Sequence, residues 1–192
     1  AGARVLVVSM EMTKRENLNR ILACTYNAKF ATLMKDVCDW TKEDQAHASG
    51  AHLKMNEDKP DLHITEKGTQ TIETIRALCR RFTPKLVIVD YLGLLTTDGK
   101  GRMNREERYV DAANKFKTMA KDFNCAVITA CQLNDEGKLY GARAIATATT
   151  LLLSIVPEQG LAVGKVRNNR KPDGLLPLVM NGEEQRFEYK RS

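Results

Sequence analysis

The stretch Lys85-Leu86-Val87-Ile88-Val89-Asp90 runs four apolar residues straight into a carboxylate, and Pro84 stands just ahead of it. An unbroken aliphatic run of this length reads as a strand covered on both faces, which is the signature of a parallel sheet. The proline punctuates whatever precedes the strand. A parallel sheet needs long crossovers, usually helical, so the rest of the chain must alternate strand and helix. It also needs its polar chemistry at one edge. In open α/β sheets ligands bind outside the carboxyl ends of the strands, where Asp90 would lie.

The remaining pattern meets that demand as far as residue 148. Residues 4–9 read as a buried strand. Thr13-Lys14-Arg15-Glu16 has capping-box spacing and predicts a helix to about Tyr26, with Leu18, Ile21, Leu22 and Thr25 as its apolar stripe. A short helix over 28–37 and another from Thr41-Lys42-Glu43-Asp44 to about Met55 follow. Leu62-His63-Ile64 is a short strand. Thr69 is expected to cap a helix that ends near Phe82, with Ile72, Ile75, Leu78 and Cys79 on one face. Residues 96–103 read as a loop. Asn104 to Phe123 form a long helix with Tyr109, Ala112, Ala113, Phe116, Ala120 and Phe123 inward, and 125–130 is the next strand. Beyond 148 the residues Leu151–Val156, Leu161–Val166, Leu175–Val179 and Arg186–Tyr189 are strands joined by short turns, which predicts an antiparallel end to the sheet.

At 192 residues the chain suits one domain with a single core. Its net charge of +6 permits an anionic partner without requiring one. The five cysteines are odd in number and scattered, so they read as reduced core thiols of a cytoplasmic protein. His47 and His52 are five apart, a poor spacing for a helical metal site. No apolar run approaches the ~18 residues that span a bilayer. The segment Ala1-Gly2-Ala3-Arg4-Val5-Leu6-Val7-Val8 is too short an apolar stretch for a signal sequence, and it reads as the middle of a domain rather than a natural start.

Four polar points fall at predicted strand ends. Glu11, in Val8-Ser9-Met10-Glu11-Met12, can polarise an attacking water, or can simply favour the first turn of a helix. Asp90 can orient magnesium through water, or can cap a turn. Gln132, in Val127-Ile128-Thr129-Ala130-Cys131-Gln132-Leu133, can sense a γ-phosphate, or can be a polar strand exit. Lys165 and Arg167 share a strand face at period two ahead of a basic turn. They can reach a neighbouring subunit's γ-phosphate, or can form a solvated hairpin.

A strand ending in Asp of this kind, a Walker B strand, normally accompanies a glycine-rich phosphate loop, G-x-x-x-x-G-K-S/T. No such string occurs in residues 1–192. The expectation is therefore a chain that lacks its first strand and phosphate loop, or a related fold that does not grip phosphate.

Taken together these segments resemble the C-terminal motor domain of DnaB-type replicative helicases. Val7-Val8-Ser9-Met10-Glu11-Met12 is similar to that family's strand with the catalytic glutamate. Ile75-Arg76-Ala77-Leu78-Cys79-Arg80-Arg81 resembles the helix before its Walker B strand, and Leu86 to Leu95, with Asp-Tyr-Leu, resembles the Walker B segment itself. Asn104-Arg105-Glu106-Glu107 is similar to the family's Asn-Arg-Gln-Gln-Glu. Ile128 to Leu133 resembles the strand with the sensor glutamine, and Lys165-Val166-Arg167-Asn168 the family's Lys-x-Arg-Asn segment. The resemblance runs from about residue 4 to the C-terminus.

It implies an α/β, RecA-like P-loop NTPase fold: a mostly parallel central sheet flanked by helices, with an antiparallel C-terminal edge. Residues 1–192 would be one such motor domain lacking its first strand and phosphate loop. By the same resemblance Glu11 is the general base, Asp90 the magnesium-organising acid and Gln132 the γ-phosphate sensor. Arg167, with Lys165, would be the finger for an adjacent subunit. The implied cofactors are ATP and Mg2+. The implied partners are single-stranded DNA, further copies in a hexameric ring, primase and a helicase loader.

The segment after Gln132 departs from the family pattern. Its acidic residues are replaced by Leu139-Tyr140-Gly141-Ala142-Arg143-Ala144-Ile145, which leaves Lys138 and Arg143 as cations for DNA phosphates or for solvent. Two other readings stay open on sequence: a non-catalytic RecA-like module that binds DNA or a ring partner, and another RecA-family ATPase.

Overall fold

The structure, a computed structural model, describes residues 2–66, 68, 70–95, 103–133, 142–156, 160–167 and 174–189, with backbone alone for 142 and 143. The chain divides into two compact units, Ala1–Lys14 with Asp61–Thr150, and Arg15–Pro60 with Leu151–Ser192.

The first unit is built on a parallel sheet of four strands, β1 (Val5–Ser9), β2 (Leu62–Ile64), β3 (Leu86–Asp90) and β4 (Ala126–Thr129), in the order β2-β1-β3-β4. Val5 pairs with Leu62 on one side of β1 and Ser9 with Asp90 on the other, while Val89 pairs with Thr129. From β1 the chain adds β2 on one flank and then crosses to add β3 on the other. The winding therefore reverses between β1 and β3, and the carboxyl ends of these two strands border the crevice typical of a binding site. Leu6, Val8, Val87 and Val89 are completely buried, as the aliphatic runs predict.

Against these strands pack α4 (Ile72–Phe82), α5 (Arg105–Asp122) and α6 (Ala142–Ala148), through Ile75 and Cys79, Tyr109, Phe116 and Met119, and Ile145 and Ala148. Helix α5 begins as its sequence dictates: Asn104 and Glu107 exchange side-chain-to-backbone hydrogen bonds in a capping box. The cap of α4 is Thr71, whose hydroxyl accepts the N–H of Thr74 at 3.1 Å. The expected cap, Thr69, lies outside the described residues. On α5 the fully buried position is Met119 rather than Ala120. Helix α6 was not anticipated from the sequence.

The second unit holds α1 (Lys14–Tyr26) from Arg15 onward, α2 (Phe30–Met34) and α3 (Lys42–Asp58), around Leu22, Ala28, Leu33, Ala48 and Ala51. Helix α3 starts after Thr41, as predicted, and Thr41 and Asp44 form a capping box there. The buried face of α1 differs from its apolar stripe. Thr25 is exposed, whereas Asn17 and Asn19 are buried, and the Asn19 side-chain amide donates to the Leu33 carbonyl at 2.8 Å.

The strands after 150 are antiparallel, as predicted. They form one sheet of β5 (Leu151–Val156), β6 (Gly160–Val166) and β7 (Leu175–Leu176), and another of β8 (Leu178–Asn181) and β9 (Arg186–Tyr189). The strand expected over 175–179 is broken at Pro177, which has no N–H to give a ladder. Gly160 has φ of +131°, and a Cβ there would come within 2.1 Å of the Leu176 carbonyl oxygen, so only glycine can open β6.

The cysteines do not all read as core thiols. Cys24 and Cys38 are exposed, Cys79 is buried, and Cys125 and Cys131 are partly covered. Among the described residues no helix is long and apolar enough to cross a membrane.

Candidate active site

Because β1, β3 and β4 are parallel and adjacent, their carboxyl ends share one edge of the sheet. Neighbouring strands lie about 4.8 Å apart, so groups carried just past those ends can serve a single bound molecule. Glu11 follows β1, Asp90 ends β3, and Gln132 follows β4. The fold thus brings together three of the residues singled out from the sequence.

Glu11 sits on a turn that is fixed on all sides while its own side chain is exposed. Ser9, fully buried, donates from Oγ to the Met12 carbonyl at 2.7 Å and accepts the Met12 N–H at 3.3 Å. The Ser9 N–H donates to Thr65 Oγ1 at 3.1 Å. Met10 is buried, and its N–H donates to the Asp90 carbonyl at 3.0 Å.

Asp90 is half-buried, and the Asp90–Tyr91 peptide bond is cis. A single helical turn, Leu92–Leu94, follows and is tied to the next strand end by the Leu92 N–H, which donates to the Ala130 carbonyl at 3.0 Å. Gly93 packs here so closely that a Cβ would lie 2.7 Å from Tyr109 Oη and 2.7 Å from Tyr91 Cε2.

Gln132 is exposed, three residues beyond β4. Thr129 Oγ1 donates to the Val89 carbonyl at 3.1 Å, and the Ala130 N–H reaches the same oxygen at 3.4 Å. Beside Gln132, burial pushes the Cys131 thiol above its ordinary pKa, so it stays a neutral packing group.

Lys165 is in β6, opposite Leu152, and Arg167 is exposed immediately after that strand; both belong to the second unit. Lys138 lies outside the described residues, and Arg143 is described by its backbone alone, in α6.

The donor set at the edge is oxygen-rich, with two carboxylates and an amide. Among the described residues no group of three or more His, Cys, Asp or Glu side chains could enclose a metal ion. A lone strand-end carboxylate suits Mg2+, which keeps most of its waters and takes its remaining oxygens from substrate phosphates. The residues present fit Mg2+–nucleotide better than a metal held by protein alone. Sequence reasoning missed the scaffolding hydroxyls of Ser9 and Thr65. The available signal was a serine closing the aliphatic run of β1.

The family model of the DnaB-like helicase C-terminal domain matches residues 1–139. The chain belongs to that family.

Among curated DnaB-like relatives, the replicative DNA helicase DnaB of Leifsonia xyli subsp. xyli is 31% identical over 130 residues, covering 66% of this chain and 27% of that protein. The replicative DNA helicase DnaB of Geobacillus stearothermophilus is 25% identical over 138 residues, covering 68% of this chain and 29% of that protein. The chain therefore spans under a third of the length of these relatives. Among solved structures, an ATPase domain matches with a TM-score of 0.81 at 20% identity, over 98% of this chain and 75% of that one. The structure of a DnaB-like replicative helicase, described with its interactions with primase, matches with a TM-score of 0.77 at 21% identity, over 96% of this chain and 50% of that one. The fold is the RecA-like one expected from the sequence.

Proposed function

We propose that residues 1–192 belong to one RecA-like motor domain of a replicative ring helicase, which couples ATP hydrolysis to movement along single-stranded DNA. The observation that carries this reading is the placement of Glu11, Asp90 and Gln132 at the carboxyl edge of adjacent parallel strands, beside the point where the winding reverses. Family membership gives the same direction.

In this reading Glu11 accepts the proton of the water that attacks the γ-phosphate. Asp90 would hold Mg2+, through water by the family resemblance, and the ion would supply neutralisation of the charge on the phosphates. Gln132 hydrogen-bonds the γ-phosphate and passes its presence or loss to the segment that follows. Arg167, with Lys165, reaches a nucleotide held by the adjacent copy of a ring, for which the family resemblance implies six subunits. Lys138 and Arg143 contribute cationic contacts to DNA phosphates. Primase and a loader are the protein partners of that assembly, and the cytoplasm is its compartment.

The test is strand separation by the full-length protein on a forked DNA with Mg2+ and ATP. ATP-dependent unwinding is expected. Subunits carrying Arg167→Ala, mixed with wild type, should depress hydrolysis by more than their share of the mixture. ATP-independent binding without unwinding would overturn the motor reading.

A further inference from the structure

Where β2 ends at Ile64, Thr65 keeps the ladder going in a different way. Its N–H still donates to the Val7 carbonyl at 2.9 Å, and its hydroxyl takes over as acceptor for the Ser9 N–H at 3.1 Å. Ser9 then turns its own hydroxyl onto Met12, contacting both the carbonyl and the N–H. On the other flank the Met10 N–H holds the Asp90 carbonyl. Thr65 is 8% exposed and Ser9 0%, so their hydrogen bonds lie in largely buried surroundings, where they are stronger than in water. Between Ser9 and Met12 lies Glu11, exposed on a loop closed by these bonds.

We infer that Thr65 is a positioning residue for Glu11, acting through Ser9. The inference rests on the proposed role of Glu11 as general base. A hydroxyl at position 65 fixes the Ser9 backbone, and Ser9 fixes Met12. The two together set the direction in which the Glu11 carboxylate leaves the sheet edge. A base displaced by about 1 Å can lose as much as about a hundredfold in rate while ground-state binding is kept. Neither Thr65 nor Ser9 needs to touch the nucleotide for this to operate.

The test is steady-state ATP hydrolysis by the full-length protein, with melting temperature measured alongside. Thr65→Val keeps the shape and removes the acceptor; it should lower kcat about tenfold or more. The KM for ATP should stay within about twofold, since uniform binding is untouched. Thr65→Ser, which restores the oxygen, should recover the rate, and Ser9→Ala should reproduce the loss. If Thr65→Val does not fold, Ser9→Ala and Thr65→Ser carry the same comparison. A merely structural Thr65 would lower the melting temperature and leave kcat per folded molecule unchanged. If Glu11→Gln abolishes hydrolysis while Ser9→Ala and Thr65→Val retain wild-type kcat, the positioning role is overturned and the role of Glu11 stands. If Glu11→Gln leaves the rate intact, or the protein hydrolyses no ATP, both are overturned.

Discussion

The backbone N–H of Met10 donates to the carbonyl oxygen of Asp90 across 3.0 Å, so the turn carrying Glu11 and the strand end carrying Asp90 are one hydrogen-bonded unit. The two carboxylates are displayed by a shared piece of backbone, not by independent loops. Geometry at one should then depend on the other.

Asp90→Asn is expected to lower ATP hydrolysis by about a hundredfold or more, in line with the loss of a preorganised charge-organising group. The defect should ease as Mg2+ is raised, because the lost carboxylate served the ion. A rate that is low and insensitive to Mg2+ in a titration would place Asp90 outside the metal's reach.

Gly93→Ala should act at the same place from behind. The added methyl meets Tyr109 Oη and Tyr91 Cε2 at 2.7 Å, and Tyr109 is only 2% exposed. Overpacking of this kind costs about 1–3 kcal/mol. Tyr91 directly follows Asp90, so hydrolysis should fall together with the urea midpoint. An unchanged midpoint would mean that the tyrosines swing aside freely.

In the second unit the buried amide of Asn19 is expected to matter more than Thr25, a member of the apolar stripe that the structure leaves exposed. Asn19→Ala leaves the Leu33 carbonyl without the bond it receives at 2.8 Å, a loss of about 1–3 kcal/mol. Thr25→Ala, at an exposed position, should change stability by no more than about 0.5 kcal/mol. Chemical denaturation of the two variants settles the order, and equal effects would contradict it.

Asp44 links α2 to the start of α3 and makes stability depend on pH. The Thr32 hydroxyl, which donates to Oδ1 at 2.8 Å, is the main reason its carboxyl is held to about 2. The Thr41 N–H, at 3.1 Å, and the Lys35 ammonium, at 3.5 Å, add to the effect. The folded value lies below the ordinary 3.8, so this contribution is fully present above pH 3.8 and is lost as pH falls through about 2. Across that window wild type should lose stability faster than Asp44→Asn in denaturant melts. Parallel pH profiles would show that the Asp44 carboxylate does not couple stability to pH.

What could be read in the sequence was whatever rests on local periodicity. The aliphatic runs of β1 and β3, the inward face of α4 and the helix starts after Thr41 and Asn104 all lie where the pattern put them. So do the strand ends that carry Glu11, Asp90 and Gln132, since parallel strands separated by helices must share one carboxyl edge. The rest depends on tertiary partners. Asn19 is buried because the Leu33 carbonyl awaits it, not because of any helical stripe. Met119 replaces Ala120 at the bottom of the core because flexible, long side chains fill gaps that spacing alone does not reveal. Thr71 and Thr69 are equivalent as sequence signals for a cap, and the hydroxyl of Thr71 meets an N–H at the helix start. Helix α6, seven residues of which four are alanine, has no apolar period to give it away, and it is held by Ile145 and Ala148 in the first core. Thr65 stands 56 residues from the serine it supports, beyond any local pattern.

A general base at Glu11 acts on the chemical step of ATP hydrolysis and not on nucleotide binding. The direct measurement is single-turnover hydrolysis of ATP by the full-length protein and its Glu11→Gln variant, with nucleotide binding measured in parallel. For such a base, Glu11→Gln is expected to bind ATP with an affinity within about threefold of wild type and to hydrolyse it at least about a hundredfold more slowly. Equal hydrolysis rates in the two proteins would contradict it.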